Sequence, residues 1–492
     1  MSSYTFILKR AFFFLCFSIV ILMGVSEDSY IHEMFGQCDS AAFFTCGKAW
    51  VEGLIPYVDF ADGKGPFLWL IYGMGYLISS TDYTGVYWLS CINYAFVFYF
   101  TYLIASVFLK DDKYSIIASL LMSFAFFNPL RHNEVRAEDF ALLYVSISLY
   151  IMCRILYDDE YDHNHIGQDA FVLGICFGLC LLIKFSFSIM LGIFAVYYLY
   201  WAIRNKQPIF IVILKYCLGI VISCLPFMLY FLIKGNFWDF INEYFINTMF
   251  TVNPGGQSTK NAVVRLFIWN FSNLLMGIIS ALIPIWLGII KRDRYFLLIS
   301  VLFFFLIISP NAQMGYYFNI CSIFAVFLVI CLLYLLKHAN LKINRLTLWV
   351  ASLVILFSCV MVHLQLYHFT TKHSHTLKIQ SSDNASRTIY HYYTNIIKRK
   401  DKATIMYWGG LDVGLGAPGR SIPACKYWIL QNGATESMIK GQREAIESRT
   451  ADFVIIDRDD EEKETVLENL HYQKHDSQVS GDHLLLFSKQ SL

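Results

Sequence analysis

The chain has 492 residues, 57% of them hydrophobic, 17% aromatic and 15% charged, with a mean hydropathy of +0.50. Soluble domains carry about 25% charged residues, so a single soluble globular fold is excluded. The net charge of +1 offers no electrostatic basis for a nucleic-acid partner. The apolar residues gather in blocks about as long as a bilayer is thick, with basic clusters between them. This is the pattern of a polytopic α-helical membrane protein embedded in a lipid bilayer.

The first block, Ala11 to Val25, follows Lys9 and Arg10 and precedes "SEDSYIHE". Its short apolar core fits a signal peptide, but no small-residue cleavage site follows. We read it as a retained helix with a cytoplasmic N-terminus, by the positive-inside rule. Further crossings are expected at 85–109, 114–130, 139–156, 170–185, 187–203, 208–233, 263–290, 295–309, 316–336 and 346–369, about eleven transmembrane helices in all. On this threading every basic cluster lands inside: Lys110 and Lys113, Arg154, Arg204 and Lys206, Lys291 to Arg294, and Lys337 to Arg345. The weakest step is 170–203, where two short helices meet at "KFSFS". Pro66 to Ser80 is too short to span, and counting it would reverse every later cluster; it reads as interfacial or re-entrant.

Four segments then face outward: 26–65, 130–139, 234–262 and everything past about 369. The tail has soluble composition. Its strand-like runs "ATIMYWGG", "ADFVIID" and "HLLLFSK" alternate with helical stretches, which predicts a small extracytoplasmic α/β domain over 370–492 behind a membrane domain over 1–369. The thirteen cysteines lie mostly in apolar blocks; Cys38, Cys46 and Cys425 are the outward ones, with no disulfide framework and no metal-ligand spacing.

The outward loops hold the candidate chemistry. Asp39 opens a helix-like, amphipathic run in the first loop, where simple N-capping is the plain alternative. In the second loop Glu134, Arg136, Glu138 and Asp139 precede an apolar helix, where the helix dipole alone would favour acids. Two ionisable clusters on one membrane face point to function, because charge near the bilayer is costly. Lys64, just before Pro66, offers a point charge and a helix N-terminus to a phosphate; the plain alternative is a snorkelling lysine. Lys184 stands in the same position, between snorkelling and phosphate contact. A carboxylate near such a phosphate could take a proton from an acceptor hydroxyl, so transfer from a lipid-phosphate donor is the chemistry expected.

The run from Asp39 through "WVEGLIPYVDFADGKGPFLW" resembles the first loop of the C-type (GT-C) glycosyltransferases, polytopic enzymes related to protein O-mannosyltransferases and lipid A aminoarabinose transferase. The matching residues are Asp39, Gly53, Pro56, Tyr57, Asp59, Lys64, Pro66 and Trp69, with Arg136, Glu138 and Asp139 matching the second motif. The resemblance implies a GT-C fold and an inverting transfer from a polyprenyl-phosphate-linked sugar to an envelope acceptor on the outer face of a bacterial inner membrane. It makes Asp39 the general base, assisted by Glu138 or Asp139. Lys64, Arg136 and Lys184 would bind donor phosphate, and Tyr57, Asp59, Asp62, Tyr316 and Tyr317 would line the pocket. This chain departs from the pattern in having Asp39-Ser40 for an acidic pair, Lys64-Gly65-Pro66 for Lys-Pro, and "NAQMGYYFNI" without a His-Tyr element. No cofactor or metal is required, although Asp39 with Glu138 could hold one divalent ion. A lipid-linked sugar flippase or a non-catalytic assembly subunit are the alternatives; the lack of an internal repeat and the gathering of charge on one face weigh against transport.

Overall fold

The computed structural model describes residues 3–31, 38–127, 135–248, 275–290, 295–308, 315–339, 344–370, 385–430 and 434–490. In chain order it begins with helices α1 (Ser3–Val25), α2 (Cys38–Val51), α3 (Pro66–Ile78), α4 (Thr84–Leu109), α5 (Asp112–Leu121) and α6 (Ser123–Phe126). Helices α7 (Ala137–Tyr157), α8 (Ile166–Ile183), α9 (Phe185–Arg204) and α10 (Ile209–Ile233) follow.

Among the described residues seven helices are long and apolar enough to cross a membrane: Ile7–Val25, Thr84–Leu109, Ala137–Tyr157, His163–Ile183, Phe185–Arg204, Ile209–Ile233 and Asn319–His338. All seven coincide with expected blocks, and the protein is an integral membrane protein. The remainder of the expected eleven do not meet that measure. Helix α5 ends at Leu121 and α6 adds only four residues. Leu275–Trp286 and Phe296–Ile308 are short apolar helices, and residues 263–274 lie outside the described set. Arg345–Thr370 is helical over 26 residues, with Leu346–Cys359 as its apolar part. Helix α3 has 13 residues and rises about 20 Å, short of the ~30 Å hydrocarbon core, as expected of a segment that does not cross.

Basic residues from three of the clusters meet at one end of the bundle. Arg10 pairs with Asp112, Lys110 with Asp158 at 2.7 Å, and Lys337 Nζ donates to the Leu109 carbonyl at 2.6 Å. Apolar side chains such as Phe210, Val221 and Ile233 stay exposed along α10, as a lipid-facing surface requires.

The tail forms a five-stranded mixed sheet in the order β2-β1-β3-β5-β4, with β1 (Thr404–Tyr407), β2 (Ile422–Pro423), β3 (Phe453–Asp457), β4 (Tyr472–His475) and β5 (Leu484–Lys489). β1 runs parallel to β2 and β3, and β5 is antiparallel to β3 and β4. The three expected strand runs are β1, β3 and β5; β2, with two residues, is too short and β4, YQKH, too polar to carry a pattern. Alternation then sorts the faces. Met406, Val454 and Ile456 pack with Ile446 and Leu467 of the covering helices, while Ile405, Tyr407 and Ile455 join the core that continues into the membrane part. The sheet therefore sits on α2. Thr45 Oγ1 donates to Asp412 Oδ2 at 2.8 Å, and Ala61 N–H donates to the Lys426 carbonyl at 2.8 Å. The helix expected as amphipathic is accordingly buried from Ser40 through Ala49, with both faces covered.

Candidate functional site

Four pieces of chain converge at the end of the bundle opposite the basic clusters: the N-terminus of α2, the turn before α3, the N-terminus of α7 and the break between α8 and α9. Asp39 opens α2 and lies 3.4 Å from Arg136 Nε. Arg136 is buried at 4% exposure and precedes α7 directly. One turn along α2, the Phe43 ring carries the Lys64 ammonium at 5.2 Å. Asp39 and Phe43 are i and i+4 and share a face of the helix, so Lys64 lies over the same face as the Asp39 carboxylate. The buried Asp62 carboxylate is 3.8 Å from Lys64 Nζ.

The "GLIPYVDFADGKGP" motif explains how Lys64 is held. Tyr57 takes the left-handed conformation, φ 67°, which a bulky residue adopts only when its surroundings compel it. Here they do. The ring is fully buried against Trp69, at 4.7 Å, and Phe240, at 5.4 Å, and its hydroxyl donates to the Lys64 carbonyl at 2.9 Å. Asp59 is exposed and closes the turn by accepting from Ile55 N–H at 2.6 Å. Gly65 N–H donates to the Ile183 carbonyl at 3.0 Å, which pins the turn to the break between α8 and α9. A Cβ at Gly65 would overlap the Leu182 carbonyl; the residue that separates Lys64 from Pro66 in this chain is there because only glycine fits the approach.

That break places Lys184. It stands in extended conformation, ending α8 and opening α9. Its ammonium bonds Glu138 Oε1 at 3.0 Å and lies over Phe187 at 4.8 Å. Glu138 is buried at 3% exposure. Asp139 is committed elsewhere: its Oδ2 caps α7 by accepting the Arg136 N–H at 2.8 Å, and its Oδ1 accepts from the Tyr94 hydroxyl. Thus Asp39, Lys64, Arg136, Glu138, Lys184 and Asp62 come together, while Tyr57, Asp59 and Asp139 support the frame. Tyr316 and Tyr317 fall in the 3₁₀ segment Gly315–Ala325, with side chains outside the described set, and Glu134 lies outside it altogether.

Asp39 and Glu138, the pair considered as ligands for a divalent ion, are each ion-paired with a cation here. Among the described residues no group of three His, Cys, Asp or Glu side chains is placed to hold a metal.

Several polar residues at this end gave no sequence signal. Lys48 is fully buried between α2 and the sheet, where its ammonium approaches the Gly416 carbonyl at 3.5 Å. Burial pushes its amine down to about 8, against the opposing pull of Asp412 and Glu52. Burial likewise raises the Asp412 carboxyl, while the Gly414 amide and the Thr45 hydroxyl pull it back. Asp28 and Ser40 are buried beside the start of α7. Nothing in a one-dimensional pattern separates such residues from ordinary loop polars.

No protein-family model and no curated protein matches the chain. In structure it is similar to ArnT from Cupriavidus metallidurans bound to undecaprenyl phosphate, with a TM-score of 0.59 at 11% identity, covering 100% of this chain and 99% of that one. It is similar to the same protein in the apo state, with a TM-score of 0.59 at 12% identity over 99% and 98% of the two chains. The fold is therefore the GT-C fold, over the whole length of both chains.

Proposed function

We propose that this protein is a membrane glycosyltransferase that moves a sugar from a polyprenyl-phosphate-linked donor to an envelope acceptor, a lipid, polysaccharide or protein, on the outer face of the membrane. The observation that carries the proposal is the convergence of Asp39 with three cations, Arg136, Lys64 and Lys184, beside the membrane on a fold shared with a protein that has been crystallised with undecaprenyl phosphate. Such a set matches the two charges of the reaction. An acceptor hydroxyl gives its proton to the Asp39 carboxylate as its oxygen bonds to the anomeric carbon. The anomeric carbon–oxygen bond to phosphate breaks, and polyprenyl phosphate leaves carrying the charge. Lys64, Arg136 and Lys184 stabilise that leaving group, and a single displacement inverts the anomeric centre. Asp62 and Glu138 hold two of the lysines in place before the donor arrives. In this reading residues 1–369 are the membrane domain, the N-terminus is cytoplasmic, and residues 370–492 form an extracytoplasmic domain that covers α2.

The test is a deletion strain of the source organism. Its membranes should accumulate a polyprenyl-phosphate-linked sugar and its envelope should lack the corresponding modification. The purified protein, reconstituted with that extracted lipid and envelope material, should release free polyprenyl phosphate. An unchanged lipid pool in the deletion strain, with no release in reconstitution, would overturn the proposal.

A further inference from the structure

The segment after α1, "SEDSY", turns back into the protein. Ser29 N–H donates to the Ser26 carbonyl at 3.2 Å, Ser29 Oγ to the Met23 carbonyl at 3.1 Å, and Asp28 N–H to Ser26 Oγ at 3.3 Å. Ser26, Asp28 and Ser29 are all at 2% exposure or less. A carboxylate is rarely buried without a specific partner, because desolvation is costly. Asp28 Oδ2 accepts the backbone N–H of Val135, the residue before Arg136, and lies 3.5 Å from Ser40 Oγ, the residue after Asp39. The Val135 carbonyl is held as well. It accepts from Ser40 Oγ at 2.7 Å and from the Tyr72 hydroxyl at 2.6 Å. Both polar groups of Val135 are thus fixed by side chains from three other elements: the turn after α1, α2 and α3. The next amide, Arg136 N–H, is taken by Asp139.

From this geometry we infer that Asp28, with Ser40 and Tyr72, forms a clamp on the Val135 main chain whose role is to set the Arg136 guanidinium against the Asp39 carboxylate. These are positioning residues; none contacts the reacting groups in the scheme above. The inference rests on the reading of the Asp39–Arg136 cluster as the reaction centre. It also gives a physical reason for Ser40 next to Asp39. A second acid there would face the Asp28 carboxylate and lack the proton that the Val135 carbonyl accepts. The clamp joins the two motif-bearing loops directly, so a loop that shifts changes the Asp39–Arg136 spacing.

A double-mutant cycle tests it, with purified protein in liposomes and the donor lipid extracted from the deletion strain. Asp28→Ala should lower kcat about tenfold to a hundredfold, the scale of an ångström misplacement at a reaction centre, and should weaken undecaprenyl phosphate binding by no more than Arg136→Gln itself does. Asp28→Asn, which keeps an acceptor oxygen for Val135 N–H, should recover most of the loss. In an Arg136→Gln background, Asp28→Ala should cost less than about twofold further, because residues acting through one contact are non-additive. Multiplicative losses, or wild-type kcat for Asp28→Ala, would overturn the inference. If Asp28→Ala does not fold, Ser40→Ala and Tyr72→Phe carry the same cycle, each removing one hydrogen bond to the Val135 carbonyl. Failure of the underlying reading looks different: Asp39→Asn would turn over at the wild-type rate, whatever the coupling between Asp28 and Arg136.

Discussion

Gly65→Ala isolates how much the placement of Lys64 matters. The backbone at Gly65, φ −85° and ψ 157°, is one that alanine adopts without strain, so conformation alone would make the change neutral or slightly stabilising. Space decides otherwise. A Cβ there overlaps the Leu182 carbonyl and comes within 2.8 Å of Tyr244 Oη, where real Cβ contacts stay beyond 3.0 Å. Tyr244 Oη is itself tied to the Leu181 carbonyl at 2.6 Å, and the Leu182 obstacle is backbone, so neither gives way cheaply. The turn must back off α8 by on the order of 1 Å, breaking the bond from Gly65 N–H to Ile183. Overpacking costs about 1–3 kcal/mol and the lost hydrogen bond about 0.5–1.5 kcal/mol more. Lys64 moves with its neighbour, and an ångström of misplacement at a reaction centre costs about a hundredfold in rate. The assay is release of polyprenyl phosphate by reconstituted protein, with thermal unfolding in parallel. Turnover should fall about a hundredfold in a protein that still inserts and melts lower. Wild-type turnover together with wild-type melting would refute the idea that this approach positions Lys64.

Asp39→Asn preserves the side chain's shape in the first turn of α2 but removes the basic oxygen; it should bind undecaprenyl phosphate normally and turn over about a hundred to ten thousand times more slowly in the same assay. Lys64→Met should weaken undecaprenyl phosphate binding about tenfold to a hundredfold by loss of a charge-assisted contact, with Lys64→Arg retaining part of it; unchanged binding would make Lys64 an anchor only. Lys48 titrates near 8 when folded, against 10.5 for the free side chain. The unfolded chain therefore binds more protons in that window, and wild type should gain stability relative to Lys48→Met as pH rises from 8 to 10.5; a melting-temperature difference that stays flat across that range would count against a Lys48 amine lowered by burial. A reporter active only outside the cytoplasm, fused at Gly481 in the β4–β5 connection, should be active; activity of a cytoplasm-only reporter there would reverse the topology.

Block length and charge asymmetry decided membrane insertion and the expected side of each loop from the sequence alone, because the bilayer imposes a fixed length and a fixed charge bias on any chain that crosses it. All seven helices that meet the length and apolarity measure stood in the sequence as blocks, although Ile7–Val25 and His163–Ile183 begin well before the expected 11 and 170. The residues that converge at the candidate site stood out in the sequence too, since Asp39, Lys64, Arg136, Glu138 and Lys184 are ionisable groups at the edges of apolar segments, where their cost marks them. Their division of labour was not. Asp139 reads like Glu138 along the chain, yet one caps α7 and the other binds Lys184, and which does which follows from helix geometry and from Tyr94 on α4. Lys184 could have snorkelled; it faces inward because α8 stops beneath the Gly65 turn. Asp28, Ser40 and Tyr72 meet on one residue of a loop 63 to 107 positions away. Hydropathy periodicity reports only contacts within a turn or two of chain, so pairings across such separations exist only once tertiary packing has brought the segments together.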